Sequence, residues 1–288
     1  MNSDDATVKR IAARLLLCAL LLAAACRAVC AQTPQTSRQA SDDEPDFIAP
    51  ARPTASNPAE FQRPGVLQLE YGFNGNFRAA GGASEEDTPL ALRLAVSRRL
   101  LLELDTDSPL SQSSQGLRAT GAGDTQLGAQ FVMRHEDARG PGFALAYYLK
   151  LPTASAAEGL GTGRVDHSVL ALLSRKINET TFDFNAVYLN AGRTSDAGRA
   201  SSAQAAVAAS RNLTKRFGLQ GELSGATRND EQTGALFALG VATFQVNRRL
   251  VLDCGLRFGL TPEAPRVGAV AGLTVGVARL FHRHAAHE

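Results

Sequence analysis

Four short stretches carry residue types that could do chemistry. Asp166-His167-Ser168 sets an acid, a base and a hydroxyl side by side, the parts of a hydrolytic centre for acyl bonds. The base must reach the hydroxyl, yet successive side chains of an extended strand point apart. His167 and Ser168 therefore cannot pair if this stretch is a strand, and an outer-membrane esterase or lipase is the third of the readings kept below. Gly159-x-Gly-x-Gly163 and Gly121-x-Gly-x-x-x-x-Gly128 have the glycine density of phosphate cradles. Both lack the lysine, the hydroxyl and the strand-to-helix context of a nucleotide loop, and read as loop glycines. His282, His284 and His287 have the composition of a metal-binding tract, but a frayed, solvated tail over 282–288 explains them more simply. No catalytic residue, metal ligand or cofactor is expected.

The elements that could position such groups begin with an export segment. Basic Lys9, Arg10 and Arg14 precede an apolar run from Leu15 to Cys26, shorter than the roughly 20 residues a spanning helix needs. Residues 1–31 read as a secretory signal cut between Ala31 and Gln32, with acylation at Cys26 as the alternative. Removing it takes four basic and two acidic residues from totals of 30 and 28, leaving 26 of each sign. A chain without basic excess does not suit nucleic acid. Cys18, Cys26 and Cys30 leave with the signal, so Cys254 is alone and no internal disulfide can form.

From Gln32 to Pro64 there is no glycine, and six of the chain's twelve prolines fall there. That composition predicts a disordered leader over 32–64. All 26 glycines lie beyond it, where apolar and polar residues alternate. Leu250, Leu252, Cys254, Leu256, Phe258 and Leu260 form one face of a strand whose other face carries Asp253 and Arg257. The same alternation runs through Leu67–Asn74, Leu92–Ser97, Leu100–Asp105, Asp124–Arg134, Phe143–Lys150, Phe182–Tyr188, Phe217–Arg228 and Val267–Phe281. It is blurred in 165–174, 203–210 and 235–245, where both faces are small or apolar. Twelve strands of about ten residues result, the length that crosses a tilted barrel wall.

Basic turn signals at Ser97-Arg98-Arg99, Ser174-Arg175-Lys176, Ser210-Arg211-Asn212 and Asn247-Arg248-Arg249, with His135-Glu136-Asp137 among them, recur at steps of 38, 39, 36 and 37 residues. A hairpin unit is repeating. Longer glycine-rich connections are expected at 79–88, 106–123, 152–164 and 192–201, with all six later prolines in connections or at strand starts. Short turns at one end and long loops at the other predict a closed antiparallel transmembrane β-barrel of about 12 strands over 65–281, both termini periplasmic. A soluble sandwich is the alternative that reverses inside and outside.

Charged side chains facing lipid cost about 2–4 kcal/mol at mid-bilayer for Arg or Lys, so the charged face must be the lumen. The candidates lining it are Glu70, Glu103, Asp105, Asp124, Asp183, Glu222 and Asp253 against Arg93, Arg134, Lys150, Arg228 and Arg257. Twelve strands stand between barrels filled by side chains and wide porins, so a narrow or gated passage follows. Its partners are the bilayer, the barrel assembly machinery and a small solute. A closed barrel whose loops at 106–123 and 152–164 meet surface partners is the second reading.

Gly121-Ala-Gly-Asp-Thr-Gln-Leu-Gly128, Tyr147-Tyr-Leu-Lys-Leu-Pro-Thr153 and Gly159-Leu-Gly-Thr-Gly163, in this order, resemble the bacterial outer-membrane transporter family of the meta-pathway of phenol degradation (Phenol_MetA_deg). The resemblance covers about Gly65 to Phe281. It implies a twelve-stranded barrel passing small hydrophobic or aromatic compounds. One departure is that Phe281, the terminal aromatic expected of the last strand, is followed by seven further residues.

Overall fold

A computed structural model describes residues 47–77, 84–114, 117–194, 196–229 and 234–281. The signal segment, the Ala31–Gln32 cut and the histidine tail lie outside the described residues. Thirteen strands form one antiparallel sheet: β1 (Val66–Phe77), β2 (Ser84–Ala95), β3 (Leu100–Ser114), β4 (Leu117–Gly121), β5 (Thr125–Arg134), β6 (Gly142–Leu151), β7 (Asp166–Ile177), β8 (Thr180–Gly192), β9 (Arg199–Asn212), β10 (Phe217–Ala226), β11 (Ala235–Asn247), β12 (Leu250–Gly259) and β13 (Val267–Arg279). Each pairs with its sequence neighbour, except that β3 pairs with β5 across the short β4, and β1 with β13 shuts the circle. Twelve strands make the barrel wall, and β4 is a return strand on the far end of β3.

Closure leaves no edge among the twelve wall strands, only that of the short β4, which is what a sheet with an apolar outer face requires. The leucine and aromatic faces point outward: Tyr71, Leu102, Leu127, Leu145, Leu219, Leu252 and Leu256 are all exposed on the chain alone. So is Cys254. Outward aromatics gather at two levels. Phe131, Phe217 and Phe244 lie toward the short turns, and Phe73, Tyr147, Tyr188 and Phe258 toward the long loops. Two such girdles mark the two interfaces of a bilayer.

Several boundaries differ from the sequence reading. Ser174–Lys176 and Ser210–Asn212 lie inside β7 and β9, not in turns; the chain reverses at 178–179, where Asn178 has φ 55°, and at 213–216. Ser174 continues the strand because it faces the lumen, where its hydroxyl accepts from the Ala59 N–H at 2.7 Å and donates to Asp183, while Arg175 is held by the carbonyls of Asp137 and Gly140 in the neighbouring turn. Most of the expected loop 106–123 is strand, built as the β3–β4 hairpin. Pro89 and Pro109 consequently sit within β2 and β3, with a register shift between Asp87 and Pro89 where the ladder yields to the missing N–H.

A lumen occupied by the chain's own leader

The main departure from the sequence reading concerns the leader. From Phe47 to Pro64 the chain lies inside the barrel, without regular structure, hydrogen-bonded to the inward faces of the wall. Pro50, Pro53, Pro58 and Pro64 break up helix and strand here, so the remaining backbone N–H groups must find side-chain acceptors. The lumen supplies them. Glu70 accepts from the Ala51 N–H at 2.9 Å and the Arg52 N–H at 3.1 Å. Gln68 exchanges two bonds with Ala49, and Glu222 accepts from the Ser56 N–H at 2.8 Å. Gln130 donates to the carbonyls of Pro58 and Ala59, and Asn185 pairs with Asn57, donating to its carbonyl at 2.9 Å and accepting from its N–H at 2.6 Å.

The segment enters and leaves at the short-turn end. The Arg249 guanidinium lies 4.6 Å from the Phe47 ring centre, and Glu60 accepts from the Glu136 N–H at 2.8 Å, both in the short turns. Between them it rises to mid-barrel. There Arg52 donates from Nε to Asp253 at 3.0 Å and from Nη2 to the Ala271 carbonyl at 3.0 Å. At Gly65, whose φ of 85° only glycine adopts readily, the chain turns out of the lumen into β1, and its N–H bonds to the Ala95 carbonyl.

Glycines in the wall mark this path. Gly72 and Gly272 are register partners across β1 and β13, and a Cβ on either would fall on the Arg52 guanidinium. A Cβ at Gly276 would strike the Phe47 ring. Replacing Gly72 or Gly272 by leucine is expected to expel Arg52 and free Asp253. Proteinase K should then cut the folded barrel within residues 49–57 far faster than wild type; equal resistance would show that the notch is not what seats the segment.

The candidate lumen residues fall into four groups. Arg93, 1% exposed, joins Glu70 at 3.3 Å and Glu103 at 2.9 Å and donates to the leader's Ala49 carbonyl. Together with Asp183, Glu222 and Asp253 these residues hold the leader. Asp105, Asp124 and Lys150 line a cavity above it, Lys150 joining Asp124 at 3.1 Å and also Asp166. Arg257 lies on the inner face over the Phe237 ring, 5.8 Å from its centre. The remaining two correct the sequence reading. Arg134 is exposed at the rim, bonded to Asp137 at 2.7 Å, because a bulge between Val132 and Arg134 breaks the alternation. There the Arg139 N–H, then the Arg134 guanidinium, hold the Asp137 carboxyl below its usual range. Arg228 lies beyond the end of β10 at Ala226, where face alternation no longer applies, and is exposed.

Apolar residues also face inward, which the sequence reading missed. Ala144, Ala146, Tyr148, Leu170 and Leu172 pack around Ala59 of the leader, and Leu239, Val241 and Val270 form a second cluster. This accounts for the blurred alternation in 165–174 and 235–245: these inner faces meet packed side chains, not water.

Between the leader and the long loops lies a cavity of about 620 Å³. Residues 51–55 with Asn57 form its floor; Tyr148, Leu160, Leu170 and Val187 give an apolar side, and Asp105 and Asp107 an acidic one. The loop 152–165 folds back over this end. Its Leu160 is buried, its Ala154 N–H bonds to Asp124 at 3.0 Å, and its Thr162 hydroxyl accepts from Lys150 at 2.9 Å. Gly159 and Gly163 have φ of 73° and 64°, so backbone shape explains them without a phosphate. Ser168 lines the cavity, while His167 accepts or donates to the Tyr147 hydroxyl at 2.7 Å on the outer surface. The two are on opposite sides of the wall and cannot act together.

An apolar exterior, two aromatic girdles, short turns at one end and a lumen filled from within define an outer-membrane β-barrel. Residues 51–276 match the family described as "Putative MetA-pathway of phenol degradation", and the chain belongs to that family. The fold is similar to the COG4313 outer membrane channel from Pseudomonas putida F1, with 16% identity, a TM-score of 0.60, and coverage of 81% of this chain and 98% of that one. It is similar also to the NanC porin, with 10% identity, a TM-score of 0.50, and coverage of 73% and 98%. No curated protein matches it in sequence.

Proposed function

We propose that the protein is a gated outer-membrane channel for small hydrophobic or aromatic solutes, with residues 47–62 as the gate. The cavity of about 620 Å³ carries this reading, since it is within the range of about 300–1,000 Å³ that small-molecule sites occupy. Its two sides suit a flat apolar molecule with a hydrogen-bond donor: Leu170 and Val187 offer dispersion contact, and Asp105 and Asp107 accept from a hydroxyl. The family's link to phenol degradation supports that solute class. A floor made of hydrogen bonds, not covalent wall, supports gating.

The test is uptake of phenol-sized aromatics into liposomes, with a sugar of similar size as control. Wild type should admit the aromatic faster than the sugar. Filling the cavity by Leu170→Trp with Val187→Trp should reduce aromatic uptake to a small fraction while the barrel still shows its heat-dependent gel mobility. Unchanged uptake in the folded double variant would sink the proposal and favour a closed barrel serving surface contacts.

A further inference from the structure

The outer surface at the long-loop end of β6–β9 changes character within two rows of paired residues. The first row, Tyr147, Val169 and Tyr188, is aromatic and apolar and belongs to the upper girdle. In the next, Leu149, His167, Asn190 and Ser201 meet, and three of the four are polar. The girdle hydroxyls point up toward it: Tyr147 bonds His167, and Tyr188 bonds the Ser201 hydroxyl at 2.9 Å. Directly above, Gly192 pairs with Arg199, and a Cβ at Gly192 would fall on the stem of Arg164. Two arginines thus flank one glycine on the lipid-facing side of the wall.

Neither is neutralised. Arg199 is exposed and spends its donors on the Val165 carbonyl, at 2.9 Å from Nη1, and on Asn190, both neutral partners. Those bonds fix its guanidinium against the wall. Arg164 is exposed, and no acceptor meets its guanidinium among the described residues. The neighbouring acid, Asp196, is turned to Arg193 at 3.5 Å and to the Gly198 N–H. Uncompensated arginines just above an aromatic girdle stand at headgroup depth, where an anionic lipid is the available counter-ion. Their planar donors match phosphate oxygens, and hydroxyl and amide groups beside them suit a sugar.

We propose that this patch, with Arg164 and Arg199 as its phosphate ligands and His167, Asn190 and Ser201 beside them, binds the phosphorylated sugar headgroup of an outer-leaflet glycolipid. Native mass spectrometry of the detergent-extracted barrel with lipid A, with its dephosphorylated form and with inorganic phosphate tests this. Wild type should retain lipid A over the dephosphorylated lipid. Affinity should fall about fivefold for each guanidinium removed in Arg164→Gln and Arg199→Gln, the usual worth of one surface arginine at a charged membrane. Arg199→Lys, which keeps the charge, should lose less than Arg199→Gln. Arg164→Gln touches no hydrogen bond of the wall, so its barrel should fold as wild type by gel mobility. Equal retention of both lipids by wild type, or full lipid A binding by the folded double glutamine variant, overturns the proposal. Inorganic phosphate held as tightly as lipid A overturns it too, by showing a free-anion site.

Discussion

Deleting residues 47–62 is expected to leave a barrel that still folds and to raise its single-channel conductance in planar bilayers at least several-fold. The wall should persist because every strand keeps its two neighbours: the ladder closes through β1 and β13 and through β2 and β3 without the leader. What is lost is the set of bonds from Ala49, Ala51, Arg52 and Ser56 to Gln68, Glu70, Asp253 and Glu222. The freed acceptors then face water in an open lumen, so their desolvation is relieved and the energetic cost stays moderate. Conductance equal to wild type in a folded deletion variant would show that the passage is blocked elsewhere, with the 152–165 loop as the remaining obstruction.

The second large effect concerns Arg93. Arg93→Met is expected to cost about 3–5 kcal/mol of barrel stability, the usual result of removing one partner from a buried charge network. Glu70 and Glu103 would be left as buried carboxylates without their shared cation, opposed only by neutral donors: the Tyr148 hydroxyl at 2.8 Å from Glu103, and the Ala51 and Arg52 N–H groups and the Gln68 amide at Glu70. Urea unfolding followed by loss of heat-dependent mobility measures this. Adding Glu70→Gln and Glu103→Gln to Arg93→Met should recover most of the loss, because amides carry no charge to strand. A loss under about 1 kcal/mol for the single variant would place the trio in water instead.

Much of the wall was legible in the sequence because one physical constraint, lipid outside, acts on every strand with period two. Leu250–Leu260 and Phe143–Lys150 show it plainly, and β12 and β6 follow them closely. The alternation failed wherever the inner face met something other than water. Leu170, Leu172, Leu239 and Val241 face inward and are apolar, so no periodicity told their two faces apart. It failed again at strand ends, where Arg134 follows a bulge and Arg228 has left the ladder.

The leader was the harder case. Its composition denies it a fold of its own, which is what disorder also looks like. Its order is borrowed from acceptors more than a hundred residues away, such as Glu222 and Asp183, and local composition carries no trace of them. The signal that could have revealed it is the glycine pair Gly72 and Gly272, on inward faces where a water-filled lumen has no need of missing side chains.

A strand of rope pushed into a ring and drawn back by the same side never ties the two together, and the leader stands in that relation to the barrel. Its Phe47 end and its Gly65 end both meet the short-turn mouth. Between Phe47 and Gly65 the chain goes in and comes out by one mouth, so ring closure and occupancy by this segment are independent in time: the wall can close first and be filled afterwards, or be emptied and refilled without reopening. Phe47 itself sits at that mouth, against the Arg249 guanidinium. A folded passenger fused there would ride outside the ring without jamming it.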